Sequence, residues 1–235
     1  LLIEHSEREL IPKFLRLGFH DCVGGCNGCV DLSNPDNNGL LGPIEHLASL
    51  VDTFKDRYSR ADVWAMATLV AADKSLVVLD DNGTLVDERP EGLDALHFPM
   101  THFGRTDCVG ADDKGIGGPD VEMPSNDLTT HELLQFFDDE FNFTTEEAVA
   151  IMGAHSVAVA TRENVGFGNL GKEEGWVCQA EEYILDNRYY SMLVGDEGDE
   201  VNGATLLTQS KNGFDSGPNW ELELVDNTLL DGGIP

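Results

Sequence analysis

Positive charge is what this sequence has least of. Its 235 residues carry 14 lysines and arginines against 44 aspartates and glutamates, a formal net charge of −30. Such a surface repels nucleic acid and anionic membranes, so neither is expected as a partner; cationic or neutral small molecules are favoured. Long apolar runs are missing as well, and none approaches the roughly 18 residues a membrane helix needs. The first residues, Leu-Leu-Ile-Glu-His-Ser-Glu-Arg, lack a signal peptide's apolar stretch and small-residue cleavage site. Any targeting segment is therefore expected to have been removed or to lie outside this sequence. No internal repeat of about 20 to 50 residues is present, which argues against a repeat array. Strand-like alternation is scarce.

Apolar residues make up 41% of the chain, enough for a core and unlike a disordered composition. The length suits one domain, or two lobes sharing one ligand. Residues 40–58 read as an amphipathic helix, with Ile44, Leu47, Leu50, Val51 and Phe54 at helical spacing. Residues 60–72 are apolar on more faces and predict a more buried helix. Two capping boxes, Thr129 with Glu132 and Thr144 with Glu147, open two further helices. Residues 186–194 predict another. Between them lie Gly/Asp/Asn/Pro-rich stretches at 22–43, 80–92, 104–127, 164–178 and 195–219. Loops of this length in a compact domain usually bind something. The expected class is all-α with long irregular loops.

Two segments stand out. Residues 13–22 read Lys-Phe-Leu-Arg-Leu-Gly-Phe-His-Asp-Cys, and Arg16 and His20, four apart, share one helix face. A base beside a fixed cation suits heterolytic cleavage of an O–O bond. The imidazole moves a proton from one oxygen to the other, and the guanidinium stabilises the charge on the departing oxygen. Most Arg/His pairs of this spacing are merely exposed; here Leu15, Leu17 and Phe19 make the helix mainly apolar. Asp21 follows, then a Gly/Cys/Asn loop ending Val-Asp-Leu-Ser. Asp21, Asp31 and Ser33 with loop carbonyls form an oxygen-rich set suited to Ca²⁺. The second segment is Ala-Ile-Met-Gly-Ala-His-Ser-Val-Ala at 150–158, near the end of the second capped helix. A lone His such as His155 on an apolar helix is more often a satisfied core residue than a ligand, so this segment by itself carries no assignment.

Arg-Leu-Gly-Phe-His-Asp-Cys followed by Asn-Gly-Cys-Val-Asp-Leu-Ser resembles the distal helix and calcium loop of the plant, fungal and bacterial haem peroxidase superfamily. Met-Gly-Ala-His-Ser resembles its proximal helix, and Ser-Arg-Ala-Asp-Val-Trp-Ala-Met its central buried helix. The matches cover roughly residues 11–190, with thinner support to 230. The resemblance implies one catalytic domain over 1–235, with a distal lobe to about 125 and a proximal lobe from about 126, sandwiching one haem b. It implies Arg16 as distal arginine, Phe19 as distal aromatic, His20 as acid–base catalyst and Asn37 as the residue that keeps His20 basic. It implies Asp21, the Gly28 carbonyl, Asp31 and Ser33 as calcium ligands, although Val30 is an extra residue between the Cys29 and Asp31 positions. It further implies His155 as haem iron ligand, Asp226 as its carboxylate partner, Ser156 and Asp186 in a proximal cation site, and Arg105 near the haem edge. Trp176 resembles the proximal tryptophan of the intracellular class.

The activity so implied is reduction of hydrogen peroxide with oxidation of small aromatic or other one-electron donors through high-valent iron. Phe19 is a secreted-type feature and Trp176 an intracellular-type one, which suggests a hybrid. Asn164 stands where ascorbate peroxidases carry an arginine, and Lys13 and Thr161 replace two members of a manganese-binding trio of which only Glu9 remains. A phenol or aromatic donor is the default expectation. Five cysteines leave at least one unpaired within the chain; Cys22 with Cys29 is one pairing among several. Calcium ligands, acidity and clustered cysteines favour a secreted or extracytoplasmic location, with an intracellular one open. Cys22, Cys26 and Cys29 also have the spacing of a radical S-adenosylmethionine Fe–S motif. A calcium- or zinc-stabilised non-catalytic module is a third reading.

Overall fold

In a computed structural model the described residues are 9–76, 100–125, 128–157, 183–185 and 189–190, with the backbone also described at 78–79, 85–86, 159–160 and 174–175. The fold is all-α. Among the described residues the α-helices of a full turn or more run α1 Leu10–Cys22, α2 Leu41–Phe54, α3 Arg60–Ser75, α4 Thr130–Phe141 and α5 Thr145–Met152. Two antiparallel pairs of two-residue strands, β1 (Val78–Leu79) with β2 (Leu85–Val86) and β3 (Val159–Ala160) with β4 (Glu174–Gly175), fall within or beside stretches expected to be irregular. Among the described residues no helix is long and apolar enough to cross a membrane. The chain divides into two compact units, 1–123 with Tyr183–Leu185, and 124–182 with 186–235.

In the first unit, α1 packs along α3. Ile11, Phe14, Leu17, Gly18 and Asp21 recur every three or four residues and are the buried positions of α1. They meet Trp64, Ala67 and Ala71 of α3 and, from α2, Ile44 and Leu47; these apolar side chains are each at most 1% exposed. Close approach depends on Gly18, because a Cβ there would lie 2.9 Å from the Thr68 Cβ and closer still to its hydroxyl and methyl. The Thr68 hydroxyl is shared between the carbonyls of Trp64 (3.1 Å) and Phe14 (3.2 Å). α2 stops four residues short of the expected end at 58, while α3 runs three residues past 72.

The start of α3 is unusually well satisfied. The first N–H groups of a helix have no partner within it. Here Ser59 Oγ accepts from Asp62 N at 3.0 Å, and the Asp107 carboxylate accepts from Arg60 N (3.1 Å) and Ala61 N (2.9 Å). Asp62 in turn takes Gly104 N (2.7 Å) and the Arg105 guanidinium (3.1 Å), so residues 102–107 are fastened to this helix end.

In the second unit, both capping boxes form as the sequence predicts. Thr129 and Thr144 each accept from the backbone three residues on, and Glu132 and Glu147 each reach back to the cap N–H. α4 ends on Asn142 in a left-handed conformation (φ 55°), and Phe143 N then bonds the Phe137 carbonyl at 3.2 Å. This places Phe143 over Phe137, which is 2% exposed. The segment expected as a helix at 186–194 lies largely outside the described residues.

Candidate active site

α1 delivers Arg16, Phe19 and His20, and the loop after it folds back to meet them. Asn34 caps a 3-10 turn at Pro35–Asn37 by accepting from Asp36 N (2.9 Å). The turn aims three groups at α1. Arg16 donates from its two terminal nitrogens to the carbonyls of Asn38 (2.6 Å) and Asp36 (2.5 Å). The Asn37 Oδ1 lies 2.7 Å from His20 Nδ1. The other side of the Asn37 amide donates to the Asp31 carbonyl at 2.8 Å. A carbonyl can only accept, so the amide nitrogen must face Asp31 and the amide oxygen must face His20. An oxygen there requires Nδ1 to carry the proton. Neutral His20 therefore presents an unprotonated Nε2.

The electrostatics favour that neutral state. Burial pushes the His20 imidazole down to about 4; the Arg16 charge adds to the effect, and the Asn37 hydrogen bond opposes it. Burial also lowers Arg16, with Asp36 opposing, yet a guanidinium stays charged. The result is a neutral base next to a cation clamped by main-chain oxygens. The Phe19 ring meets His20 edge-on, centroids 6.1 Å apart.

The residues expected to bind calcium are each engaged by hydrogen bonds within the protein. Asp21, 3% exposed, accepts through Oδ1 from Gly28 N (2.5 Å) and Cys29 N (3.1 Å). Burial raises this carboxyl to about 6, with the N–H bonds from Cys29, Gly28 and Asn27 opposing. The Gly28 carbonyl accepts from Arg60 Nε at 2.5 Å. Asp31 and Ser33 are joined to each other, the Asp31 Oδ1 taking Ser33 N (2.9 Å) and Ser33 Oγ (2.8 Å). Among the described residues no group of three or more His, Cys, Asp or Glu side chains could hold a metal ion.

The cysteines settle two rival readings. Cys22 pairs with Cys26, and Cys29 with Cys108, so the Cys22–Cys29 pairing is corrected. With all three clustered thiols consumed in disulfides, neither an Fe–S cluster nor a zinc site can use them. Cys178 lies outside the described residues.

In the second unit α5 ends at Met152, and Gly153–Ser156 forms a 3-10 turn that carries His155. His155 thus sits just past the helix expected to hold it. Burial pushes its imidazole down to about 4, with a hydrogen bond involving the Met152 backbone opposing. Its ring packs on Tyr189, 3% exposed, at 5.5 Å between centroids. Ser156 Oγ donates to the Gly153 carbonyl at 3.0 Å. The position a Cβ on Gly153 would take is filled by Tyr190, whose hydroxyl and ring it would strike. That hydroxyl donates to the Val149 carbonyl at 2.7 Å.

Arg105, expected near the haem edge, is tied to Asp62 and to the His102 carbonyl at 3.1 Å. Trp176, Asp186 and Asp226 lie outside the described residues. Arg60, Asp62 and Asp107 escaped the sequence reading of the site, and no local signal marks them. An Arg and an Asp in the first turn of a helix look like ordinary surface residues until their partners 32 to 47 positions away are known.

The chain matches the sequence family described as Peroxidase over residues 2–230. It is 24% identical over 202 residues to cytochrome c peroxidase, mitochondrial, of Cryptococcus neoformans, an overlap of 80% of this chain and 45% of that protein. It is 24% identical over 203 residues to L-ascorbate peroxidase 2, cytosolic, of Oryza sativa, covering 82% and 68% respectively. The chain thus spans about half the length of the mitochondrial relative.

Proposed function

The chain belongs to the peroxidase family, and from that premise we propose that it is a haem-dependent peroxidase. It reduces hydrogen peroxide to two waters with two electrons and two protons, drawn from small aromatic or other one-electron donors. The observation that carries the reading is the 2.7 Å contact between His20 Nδ1 and an Asn37 oxygen fixed in orientation by the Asp31 carbonyl.

The donor chemistry fits haem. His155 is held neutral by burial, as an iron-binding imidazole must be. Bound haem supplies the redox-active iron at which the O–O bond opens. The chain's residues manage the proton and the charge. His20 Nε2 takes the proton from one peroxide oxygen and returns it to the other, which departs as water. Arg16, braced by two carbonyls, stabilises negative charge on the departing oxygen without moving. Phe19 keeps the His20 surroundings apolar, which sustains the low imidazole basicity.

The proposal also assigns Asp226 as carboxylate partner of His155, Trp176 as the proximal tryptophan, Ser156 and Asp186 to a proximal cation site, and Arg105 to the haem edge through its loop. The donor class follows from Asn164 and Phe19, which depart from the ascorbate and cytochrome c patterns. The two relatives are named for the mitochondrion and the cytosol and lend no support to secretion. Two disulfides among the described residues favour an oxidising compartment for this chain.

The test is the absorption spectrum of haem-loaded protein. An intense Soret band is expected, with His155→Ala losing the spectrum of a histidine-bound iron. No Soret band, or the same spectrum in His155→Ala, would remove the assignment.

A further inference from the structure

The loop between Asp21 and Ser33 already contains a positive charge, and it belongs to Arg60. This side chain is 8% exposed and its position is over-determined. Nε donates to the Gly28 carbonyl (2.5 Å), Nη1 to the Asp112 carbonyl (3.3 Å), and Nη2 lies 3.6 Å from Cys29 Sγ. Gly115 closes the cradle: a Cβ there would stand 2.5 Å from the Gly28 oxygen and 2.7 Å from Arg60 Nε. Gly28 packs as tightly on the other side, where a Cβ would stand 2.7 Å from Ala61 N, and its φ of +71° suits glycine.

Calcium needs six to eight oxygens converging at about 2.3–2.6 Å. Here the Gly28 oxygen points at a guanidinium, the Asp21 carboxylate points at backbone N–H groups, and Asp31 and Ser33 satisfy each other. The extra residue of this loop is held in its own right. Val30 is 3% exposed and bonds on both sides to the neighbouring loop, Val30 N to the Gly115 carbonyl and Gly117 N to the Val30 carbonyl, each at 2.9 Å. Inserted between Cys29 and Asp31, it anchors the chain there to the neighbouring loop. A divalent ion placed on the Gly28 carbonyl would also face the Arg60 charge at close range, which repels it.

We propose that this loop holds no calcium, and that Arg60 occupies the cation's place, tying Gly28 and Asp112 together as an ion would. The claim concerns the loop alone and stands or falls separately from the haem assignment. It is tested on haem-loaded protein by calcium content per chain and by Tm after dialysis against calcium or EGTA. The double variant Asp31→Asn/Ser33→Ala removes two side-chain ligands of the expected site and leaves the Asp31 carbonyl in place. It is expected to carry the same calcium as the unaltered protein and to show the same response of Tm to EGTA. Arg60→Gln is expected to melt below the unaltered protein when both are in EGTA. Loss of one calcium ion per chain in the double variant would overturn the proposal, as would an unchanged Tm in Arg60→Gln.

Discussion

Among single residues, the Asn37 amide matters because it fits only one way round. Its nitrogen is claimed by the Asp31 carbonyl, so its oxygen must receive the His20 Nδ1 proton. The base is thus prepared before any peroxide arrives, and burial keeps it neutral well below the ordinary histidine value of about 6.5. The sign follows directly. Protonated His20 cannot accept a proton, so the reaction with peroxide is lost as pH falls through the folded-state value. The rate is expected to hold from neutral pH downwards and to drop as pH passes about 4. The pH dependence of the peroxide reaction checks this; a drop centred near 6.5 would mean that His20 is not held as described. Asn37 was legible in the sequence only by resemblance. Its anchor was not legible, because Asp31 contributes a main-chain oxygen, which any residue type could supply.

At the scale of elements, α1 is held to α3 by a glycine-sized gap, and the position of the Arg16–His20 face depends on that contact. Gly18→Ala forces Thr68 aside, and because the clash includes the Thr68 Cβ, rotating the side chain does not relieve it. A loss of about 1–3 kcal/mol in unfolding free energy is expected, the usual cost of overpacking. Denaturant titration measures it; an unchanged midpoint would show that the two helices do not pack as described. The helices were largely readable because their signals are local. The apolar character of α1, the boxes at Thr129/Glu132 and Thr144/Glu147, and the apolar faces of α3 are all signals carried by neighbouring residues. The 3-10 turn under His155, the Tyr190 ring over Gly153 and the Arg60 cradle were not readable. The Tyr190 contact and the Arg60 cradle depend on residues tens of positions away, and periodicity carries no information about them.

For the molecule as a whole, the acidic excess and the disulfides frame what the site can do. A net charge of −30 disfavours anionic donors near the surface and favours neutral or cationic ones. The Cys29–Cys108 disulfide joins the loop after α1 to the segment that caps α3, 79 residues on, so the two segments gripping Arg60 are also linked covalently. The odd cysteine count foretold neither pair, since pairing is decided by three-dimensional proximity. The central claim, that His20 is the proton carrier of a haem-dependent peroxide reaction, is tested most directly by stopped-flow absorbance of haem-loaded protein mixed with hydrogen peroxide. The account predicts a rapid change in the haem spectrum that His20→Ala slows by about 100- to 10,000-fold, the usual contribution of a positioned acid–base group, with haem still bound. An equal rate in His20→Ala, or no spectral change in the unaltered protein, would contradict it.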